Sequence, residues 1–209
     1  MECSICGCEM EIFYKSNIPF SVSSDNRILE ESICLYSCKN CKHLSKFPKA
    51  SLLNKLYNTY LTDAILPNNE QLKFDEGENK GTSAKVLENV LDFIPSKETL
   101  RILDIGSGCG GMLRAIYESF PKSETYAFDK TQEHLKEFLK IPNFVGFFED
   151  IKDVNLGFDC ITMVHTLEHI EDLSLLRDIW GALNDNGVFI VQIPNSYENL
   201  WDIFVYDHC

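Results

Sequence analysis

Two pairs of cysteines near the start of the chain have the spacing of metal ligands. Cys3 and Cys6 form one C-x-x-C pair, and Cys38 and Cys41 form a second. Each pair can present two thiolates to one ion, and two pairs together supply the four tetrahedral sulfur ligands of a structural zinc site. Because four thiolates leave no open coordination position, we expect this zinc ion to serve structure and not catalysis.

Two further cysteines leave the ligand set open. Cys8 and Cys34 could each replace a member of the paired set, and the paired cysteines could instead be small buried apolar residues. Apolar runs at 12–14 and 33–36 lie between the two pairs and predict the strands of a zinc ribbon. We therefore assign residues 1–48 to a zinc-ribbon module.

A glycine-rich turn follows a short apolar run in the second half of the chain. The run at 102–105 predicts a buried strand of a parallel sheet, and residues 112–120 have the apolar spacing of a helix. The glycines at 106–111 lie between them. A strand, a glycine turn and a helix in this order place a ligand at the free N–H groups of a helix N-terminus.

The glycine turn fits two kinds of ligand. Gly106, Gly108 and Gly110 match the G-x-G-x-G loop of S-adenosylmethionine enzymes. Gly106, Gly108 and Gly111 instead match the dinucleotide fingerprint G-x-G-x-x-G. Asp104 favours the first interpretation, because its carboxylate would repel a pyrophosphate and attract the ammonium and sulfonium groups of S-adenosylmethionine.

Acidic residues follow the next two predicted strands. Asp129 comes directly after a strand predicted at 125–128, where a carboxylate can accept hydrogen bonds from both ribose hydroxyls of an adenosine. Glu149 and Asp150 follow a strand predicted at 143–148, where a carboxylate can accept the exocyclic amine of adenine. The pattern predicts an adenosine site along the carboxyl ends of the strands.

The remaining elements alternate between helices and strands. A helix is predicted at 131–139, where we expect His134 at the surface. A fourth strand is predicted at 158–164, a helix at 174–183 and a fifth strand at 188–193, the last after the turn Asp185-Asn186-Gly187. This alternation is typical of an α/β fold with a parallel sheet.

Four segments in this order carry a resemblance to a known family: LDIGSGCGG, YAFD, FDCITMVHTLEHI and NDNGVFIVQIPN. Together they resemble a class I S-adenosylmethionine-dependent methyltransferase. With the four-cysteine module ahead of it, the chain is similar to the bacterial sugar C-methyltransferases and their relatives. The resemblance implies a Rossmann-like core at 99–209, joined to the zinc ribbon by a helical linker or lid segment at 49–98.

The resemblance also implies a donor site. The loop from Gly106 to Gly110, with Asp104, would hold the amino acid part of the donor, Asp129 the ribose, and Glu149 with Asp150 would lie near adenine. Since the family fold has two further strands after the fifth, we expect the core to be incomplete at its C-terminal end. The implied donor-binding residues are Asp104, Gly106, Ser107, Gly108, Gly110, Asp129, Glu149, Asp150 and His165.

Methyl transfer to a carbon or hydroxyl also needs a base. The candidates near the strand ends are His165, Glu168 and His169, with His208 near the end of the chain. Alternatively, Glu168 and His169 only pack or cap the start of a helix. The sugar C-methyltransferases have a catalytic histidine in a Tyr-His-Glu-His stretch, and Asp207-His208 resembles its last two positions.

Composition limits the partners and the compartment. The chain has 19 basic and 32 acidic side chains, for a net charge of -13, which repels nucleic acid. The N-terminus lacks the apolar core of a signal peptide, and no apolar run is long enough to span a bilayer. We therefore expect a cytoplasmic protein. The resemblance, together with the acidic surface, implies an enzyme with a small-molecule acceptor, for which a nucleotide sugar is one candidate. The alternatives are an NAD(P)-dependent oxidoreductase and a non-enzymatic zinc-ribbon interaction module.

Overall fold

The computed structural model describes residues 1–23, 27–47, 49, 51–52, 72–75, 78–170 and 172–193. The chain divides into two compact units. Among the described residues, the first unit contains 1–52 and Glu168–Leu173, and the second contains 72–167 and Ser174–Ile193. The helical stripe expected early in the 49–98 segment lies outside the described residues. In the described part of the chain, no helix has the length and apolar character needed to cross a bilayer.

The described residues of the first unit form five short strands. They are β1 (Met10–Lys15), β2 (Ser21–Val22), β3 (Ile28–Leu29), β4 (Cys34–Cys38) and β5 (Leu44–Lys46). An antiparallel sheet has the order β1-β4-β5, and β2 pairs with β3 as a separate hairpin. The two strands predicted between the cysteine pairs are therefore present, as β1 and β4.

A hairpin and a helix open the second unit. β6 (Leu72–Asp75) pairs antiparallel with β7 (Glu78–Gly81), within a segment that the sequence predicted to be a linker or lid. The helix α1 (Thr82–Val90) follows directly and continues into a 3-10 turn at Leu91–Phe93. Leu87 of α1 is 2% exposed, so this helix packs its apolar face on the core that carries the sheet.

A parallel sheet forms the centre of the second unit. Its strands are β8 (Arg101–Ile105), β9 (Glu124–Phe128), β10 (Phe144–Phe148), β11 (Phe158–Val164) and β12 (Leu183–Gln192). The order is β10-β9-β8-β11-β12, and all four pairings are parallel. The chain adds β9 and β10 on one side of β8 and then crosses over to add β11 and β12 on the other side. Ligands of open α/β sheets bind at the carboxyl ends of the strands near such a change in strand order.

Three helices connect these strands: α2 (Gly111–Ser119), α3 (Leu135–Phe138) and α4 (Leu175–Gly181). The prediction of a helix over 131–139 is too long, because the N–H of Thr131 bonds to the Asp129 side chain and the chain leaves the strand in a turn. The buried apolar cluster between the sheet, α1 and α2 comprises Leu87, Ile94, Leu100, Ile102, Met112, Ala115, Ile116, Cys160 and Ile190.

The last strand begins earlier than predicted. β12 starts at Leu183, pairs there with Phe158, and its register then shifts so that Val188 pairs with Cys160. The predicted turn lies inside this irregular stretch, where Asn186 has φ +61°. Asparagine tolerates the left-handed region better than most residues, so the strand can contain Asn186 in this conformation.

An ion-pair network holds the amino end of β11 to the rest of the sheet. The Asp159 carboxylate accepts hydrogen bonds from Lys97 Nζ at 2.6 Å, the Arg101 N–H at 3.0 Å and Asn184 Nδ2 at 2.9 Å. Asp159 is 6% exposed, and these three donors satisfy a carboxylate that would otherwise be costly to bury. The network fixes β11 against β8, whose opposite ends carry the candidate site.

Candidate functional site

The structure brings the four paired cysteines together in the first unit. The Sγ atoms of Cys3, Cys6, Cys38 and Cys41 all lie within 4.8 Å of one another. Cys3 and Cys41 have their sulfurs 3.5 Å apart, as do Cys6 and Cys38. Four sulfurs bound tetrahedrally to zinc at about 2.3 Å would be about 3.8 Å apart. The observed spacing therefore fits the donor set of a four-thiolate zinc ion.

The two C-x-x-C turns have the same backbone conformation. The N–H of Gly7 donates to the carbonyl of Cys3 at 2.8 Å, and the N–H of Lys42 donates to the carbonyl of Cys38 at 3.0 Å. Gly7 and Lys42, each directly after the second cysteine of a pair, have φ +71° and +63°. This repeated left-handed turn presents both thiols of each pair on one side, and holding Lys42 there costs backbone energy that glycine avoids.

The thiols in this cluster have divergent acidities. The pKa of Cys6 is lowered to about 6, chiefly because the backbone N–H of Cys8 stabilises its thiolate. The pKa of Cys41 is raised to about 12, because partial desolvation and the neighbouring thiols outweigh the help of the His43 backbone N–H. Several thiolates at one point repel one another, and a divalent cation relieves that repulsion. Cys8 and Cys34 are free thiols outside the group of four.

The glycine turn of the second unit needs three of its glycines for backbone reasons. Gly106, Gly108 and Gly110 have φ +72°, +48° and +81°, a region that L-residues with a side chain rarely adopt. Gly111 is the first residue of α2 and is not among the glycines with positive φ. The positive φ angles therefore fall on the three glycines of the G-x-G-x-G spacing.

Gly106 is also required by its neighbour. The Thr166 side chain lies directly over it, and a Cβ at Gly106 would overlap the Thr166 hydroxyl and methyl groups. The single hydroxyl proton of Thr166 is shared between the carbonyls of Ile105 at 3.2 Å and Val164 at 3.1 Å, so this side chain is tied to the ends of both β8 and β11. The glycine turn and the turn after β11 are therefore packed as one unit.

We expect Gly106→Ala to destabilise the core by about 2–4 kcal/mol, because the new Cβ must displace Thr166 and also occupy a positive φ. Thermal unfolding measures the change, and donor affinity should fall with it because the turn moves. Gly181→Ala is the matched control, since a Cβ there meets no atom within 4 Å. Equal melting temperatures for the two variants would contradict this account.

Asp104 lies at the end of β8, as predicted, but it is more deeply buried than a ligand-facing carboxylate usually is. It is 3% exposed, and its Oδ1 accepts a hydrogen bond from Thr162 Oγ1 at 2.7 Å. Burial raises the pKa of Asp104 to about 7, against the opposing hydrogen bonds from Thr162 and Ser107 and with a smaller contribution from the nearby Asp129 carboxylate. A bound cation would favour the ionised form.

The structure brings Asp129 next to the glycine turn that follows Asp104, although Asp104 and Asp129 are 25 positions apart in the sequence. Its Oδ2 accepts the N–H of Gly108 at 3.0 Å, and its Oδ1 accepts the N–H of Thr131 at 3.2 Å. A carboxylate offers about four lone-pair sites, so about two remain for hydroxyl donors. The tip of β9 and the glycine turn thus form one polar surface at the carboxyl edge of the sheet.

The candidate bases occupy the stretch after β11. His165 is exposed, has φ +53°, and its N–H donates to the carbonyl of Gln192 at 2.9 Å. Glu168 and His169 belong to a 3-10 turn, and Glu168 Oε1 lies 4.0 Å from His169 Nε2. This separation is at the limit of an ion pair. His208 lies outside the described residues.

The acids after β10 have a local role in the structure. Glu149 and Asp150 are both exposed, and Asp150 Oδ1 accepts the N–H of Lys152 at 2.9 Å. Asp150 therefore caps the 3-10 turn at Ile151–Asp153, which satisfies a backbone donor that would otherwise lack a partner. Their contact with adenine remains a prediction.

Sequence reasoning missed how two residues are placed. His134 was expected at the surface, but it is 9% exposed, and among the described residues its buried Nε2 has no hydrogen-bond partner. The prediction was wrong: His134 does not lie within a helix but directly precedes the short α3 as its N-cap. Thr166 stood within a quoted motif, yet nothing in the sequence shows that it packs over Gly106.

The family match spans most of the second unit. The family described as "Methyltransferase domain" matches residues 78–206, which is more than half of the chain. The chain belongs to this methyltransferase family. The predicted class I methyltransferase and its Rossmann-like parallel sheet are confirmed, and the family decides the ambiguity of the glycine turn against the oxidoreductase alternative.

Individual relatives are distant and longer than the matched region. YrhH of Bacillus subtilis, provisionally named a methyltransferase, is 27% identical over 122 residues, which are 54% of this chain and 68% of that protein. Trans-aconitate 2-methyltransferase of Deinococcus radiodurans is 25% identical over 109 residues, 51% of this chain and 42% of that protein. The plantazolicin methyltransferase BpumL in complex with SAH is 21% identical with a TM-score of 0.49, over 60% of this chain and 55% of that one.

Proposed function

We propose that this protein transfers the methyl group of S-adenosylmethionine to a small-molecule acceptor, and that the acceptor is a nucleotide sugar. The observation that carries the proposal is the hydrogen bond between Gly108 and Asp129, because it unites the glycine turn and the second strand tip at one edge of the sheet. The donor has an adenosine part and an amino acid end. Binding both at once requires the glycine turn and the strand tip to lie side by side. When bound, S-adenosylmethionine supplies a sulfonium methyl group for in-line transfer.

Different residues of the second unit bind different parts of the donor. Asp129 accepts the ribose hydroxyls, and the free N–H groups at the N-terminus of α2 face the amino acid end. Asp104 lies beneath the turn, where its carboxylate balances the positive charge of the donor. Glu149 and Asp150 are the candidates at the adenine end. These groups orient the donor and keep water away from the transferred methyl group.

A base must remove the proton of the acceptor. His165, Glu168, His169 and His208 remain the candidates, and we favour a histidine because its ordinary pKa lies nearest neutrality. His165→Ala and His169→Ala should be compared for kcat at saturating donor. The variant that lacks the base should lose about 100-fold to 10,000-fold in kcat with little change in donor affinity. Equal kcat values in both variants would indicate that the base is Glu168 or His208.

Two features support a nucleotide sugar as the acceptor. The four-cysteine module ahead of a methyltransferase core is similar to the arrangement in bacterial sugar C-methyltransferases. The net charge of -13 disfavours RNA or DNA as the acceptor, because a polyanion would have to approach an acidic protein. A mononucleotide carries far fewer charges and can be held by a local site.

The test is release of S-adenosylhomocysteine from the zinc-loaded protein in the presence of nucleoside diphosphate sugars, with unrelated alcohols and small RNAs as comparison acceptors. Calorimetry with S-adenosylmethionine alone checks the donor site separately. Donor binding with turnover of another acceptor class would reject the sugar and keep the methyltransferase. A folded protein that binds no donor would favour the non-enzymatic interaction module.

Donor affinity should depend on pH through Asp104. Its pKa of about 7 means that the donor-free site is partly protonated at neutral pH, and a cationic donor requires the carboxylate. Affinity should therefore rise up to about tenfold per pH unit below pH 7 and level off above it. Calorimetry from pH 5.5 to 8.5 measures this. Asp104→Asn should bind more weakly and lose the slope, and an unchanged slope in that variant would refute the assignment.

For the first unit we propose one structural zinc ion, held by Cys3, Cys6, Cys38 and Cys41. The support is the spacing of the four sulfur atoms and the absence of any disulfide among the eight described cysteines. Free thiols of this kind persist in a reducing compartment, so we place the protein in the cytoplasm. The ion would stabilise a module of under fifty residues, a size at which a hydrophobic core alone gives little stability.

A further inference from the structure

A buried threonine on β11 faces the carboxylate at the end of β8. Thr162 pairs with Asp104 in the parallel ladder between the two strands, and Thr162 Oγ1 donates to Asp104 Oδ1 at 2.7 Å. The two residues are 1% and 3% exposed, so water does not compete for this hydrogen bond. The distance lies within the range of about 2.5–2.7 Å that is typical of a hydroxyl donating to an ionised carboxylate.

The strand face that carries this pair is otherwise apolar. Residues two apart on a strand lie on the same face, so the neighbours of Thr162 are Cys160 and Val164, and the neighbour of Asp104 is Ile102. Cys160 and Ile102 belong to the buried cluster between the sheet, α1 and α2, and Val164 packs against it. A valine at position 162 would suit this face and has a similar shape. The hydroxyl therefore serves its hydrogen bond to Asp104 and not the packing of the face.

The other elements around Asp104 supply little that would keep its carboxylate ionised. On the β9 side Asp104 pairs with Ala127, and α1, α2 and β12 pack against this face with apolar side chains. Ser107, in the glycine turn, donates its Oγ proton to the main-chain carbonyl of Asp104 at 2.8 Å. That proton is therefore only partly available to the carboxylate.

Two titratable groups act on the same carboxyl group, and neither stabilises its charge. The Asp129 carboxylate raises the pKa of Asp104 by like-charge repulsion, in addition to the larger effect of burial. Cys160 stays a neutral thiol because burial, together with the Asp104 and Asp159 charges, raises its pKa to about 12. Among the described residues, the Thr162 hydroxyl therefore makes the largest favourable contribution to the ionised form of Asp104.

We propose that Thr162 is a positioning residue for S-adenosylmethionine, because its hydroxyl holds the Asp104 carboxylate ionised and in one orientation before the cationic methyl donor arrives. The inference rests on the proposed function, in which Asp104 balances the positive charge of the methyl donor. Without the hydroxyl, the buried carboxylate loses its main stabilising partner and takes up a proton more readily. A protonated Asp104 attracts the cation less, so Thr162 acts on binding through Asp104.

Carbon-13 NMR of the aspartate carboxyl groups in the zinc-loaded full chain, without methyl donor, measures the first step. Asp104→Asn assigns the signal by its loss. In Thr162→Val the titration midpoint of Asp104 should rise by about one pH unit, because a charge-assisted hydrogen bond is lost. Thr162→Ser keeps the hydroxyl and should restore the midpoint of the unchanged chain. Equal midpoints in Thr162→Val and the unchanged chain would overturn the proposal.

Thr125→Val is the matched control for the loss of a buried hydroxyl. Thr125 is 0% exposed on the neighbouring β9, but its Oγ1 donates to the main-chain carbonyl of Asn143 at 3.0 Å. We expect this variant to leave the Asp104 midpoint unchanged. An equal shift in Thr125→Val and Thr162→Val would mean that the midpoint follows a general loosening of the sheet, which contradicts a specific role for Thr162.

Calorimetric titration with S-adenosylmethionine from pH 6 to pH 8.5 measures the second step. Dividing the affinity of the unchanged chain by that of Thr162→Val at each pH cancels the ionisation of the methyl donor itself. With the pKa of Asp104 at about 7 in the unchanged chain, this ratio should be about tenfold at pH 6 and below about twofold at pH 8.5, where the variant is ionised as well. A ratio that is the same at every pH would show a structural role only and overturn the proposal.

The outcomes separate this inference from the proposed function. A folded, unchanged chain that binds no S-adenosylmethionine at any pH rejects methyl-donor binding, and the positioning role falls with it whatever the NMR titration shows. A chain that binds S-adenosylmethionine with a ratio independent of pH keeps the proposed function and rejects only the role of Thr162.

Discussion

Replacing Asp129 by alanine should weaken binding of S-adenosylmethionine by roughly one to three orders of magnitude, more than any other single change outside the glycine turn. The carboxylate has about two lone-pair sites left after its bonds to Gly108 and Thr131, and each charge-assisted bond to a ribose hydroxyl contributes about 1.5–3 kcal/mol before water replaces part of it. Calorimetric titration of the folded variant measures the loss.

The structure adds a second reason for this loss. Without Asp129 the N–H of Gly108 loses its acceptor, so the glycine turn becomes less ordered before any donor arrives. Asp129→Asn separates the two contributions, because an amide oxygen can still accept that N–H but carries no charge. We expect its affinity to fall between those of the unchanged protein and Asp129→Ala.

Asp153→Ala is the matched control, since it removes an exposed acid from the 3-10 turn after the next strand. Its donor affinity should stay within about twofold, because exposed charges at a distance are screened. Unchanged affinity in Asp129→Ala, with circular dichroism confirming the fold, would mean that the second strand does not deliver this residue to a ribose. The adenosine site would then have to be placed elsewhere.

Replacing Cys38 by serine should release zinc from the first unit and loosen the module. The purified protein should contain about one zinc ion per chain, and the variant should lose affinity by more than about a hundredfold, because a hydroxyl replaces one of four thiolates. Cys38 is fully buried in a cluster with Met10 and Tyr36, so loss of the ion also disturbs their packing. Elemental analysis and limited proteolysis measure the two effects.

Cys34→Ser is the control for this experiment, since Cys34 lies in the same strand as Cys38 but outside the group of four sulfur atoms. We expect it to keep about one zinc ion per chain. Undiminished zinc in Cys38→Ser would instead indicate that Cys34 or Cys8 completes the ligand set. Donor affinity of the second unit is a further readout, because a purely structural ion should leave the calorimetry of the donor site unchanged.

The elements with a local signature were predictable. The cysteine pairs are recognisable because a zinc knuckle needs two thiolates at a fixed short spacing, and the structure gathers those four sulfurs. The strand at Arg101–Ile105 and the helix at Gly111–Ser119 follow from apolar periodicity on either side of the glycines. The choice between the two glycine spacings was harder, because both fit the sequence, and the family match decides it.

The sequence by itself thus indicated the two cysteine pairs that the structure gathers, the order of strands and helices in the parallel sheet, and the residues at the strand tips, because these depend on backbone sterics and short-range spacing. Tertiary structure alone decided what surrounds them. It buried Asp104 and raised its pKa, turned His134 inward, and placed Thr166 over Gly106. Burial, acidity and close packing depend on residues far apart in the chain, so no local pattern carries them.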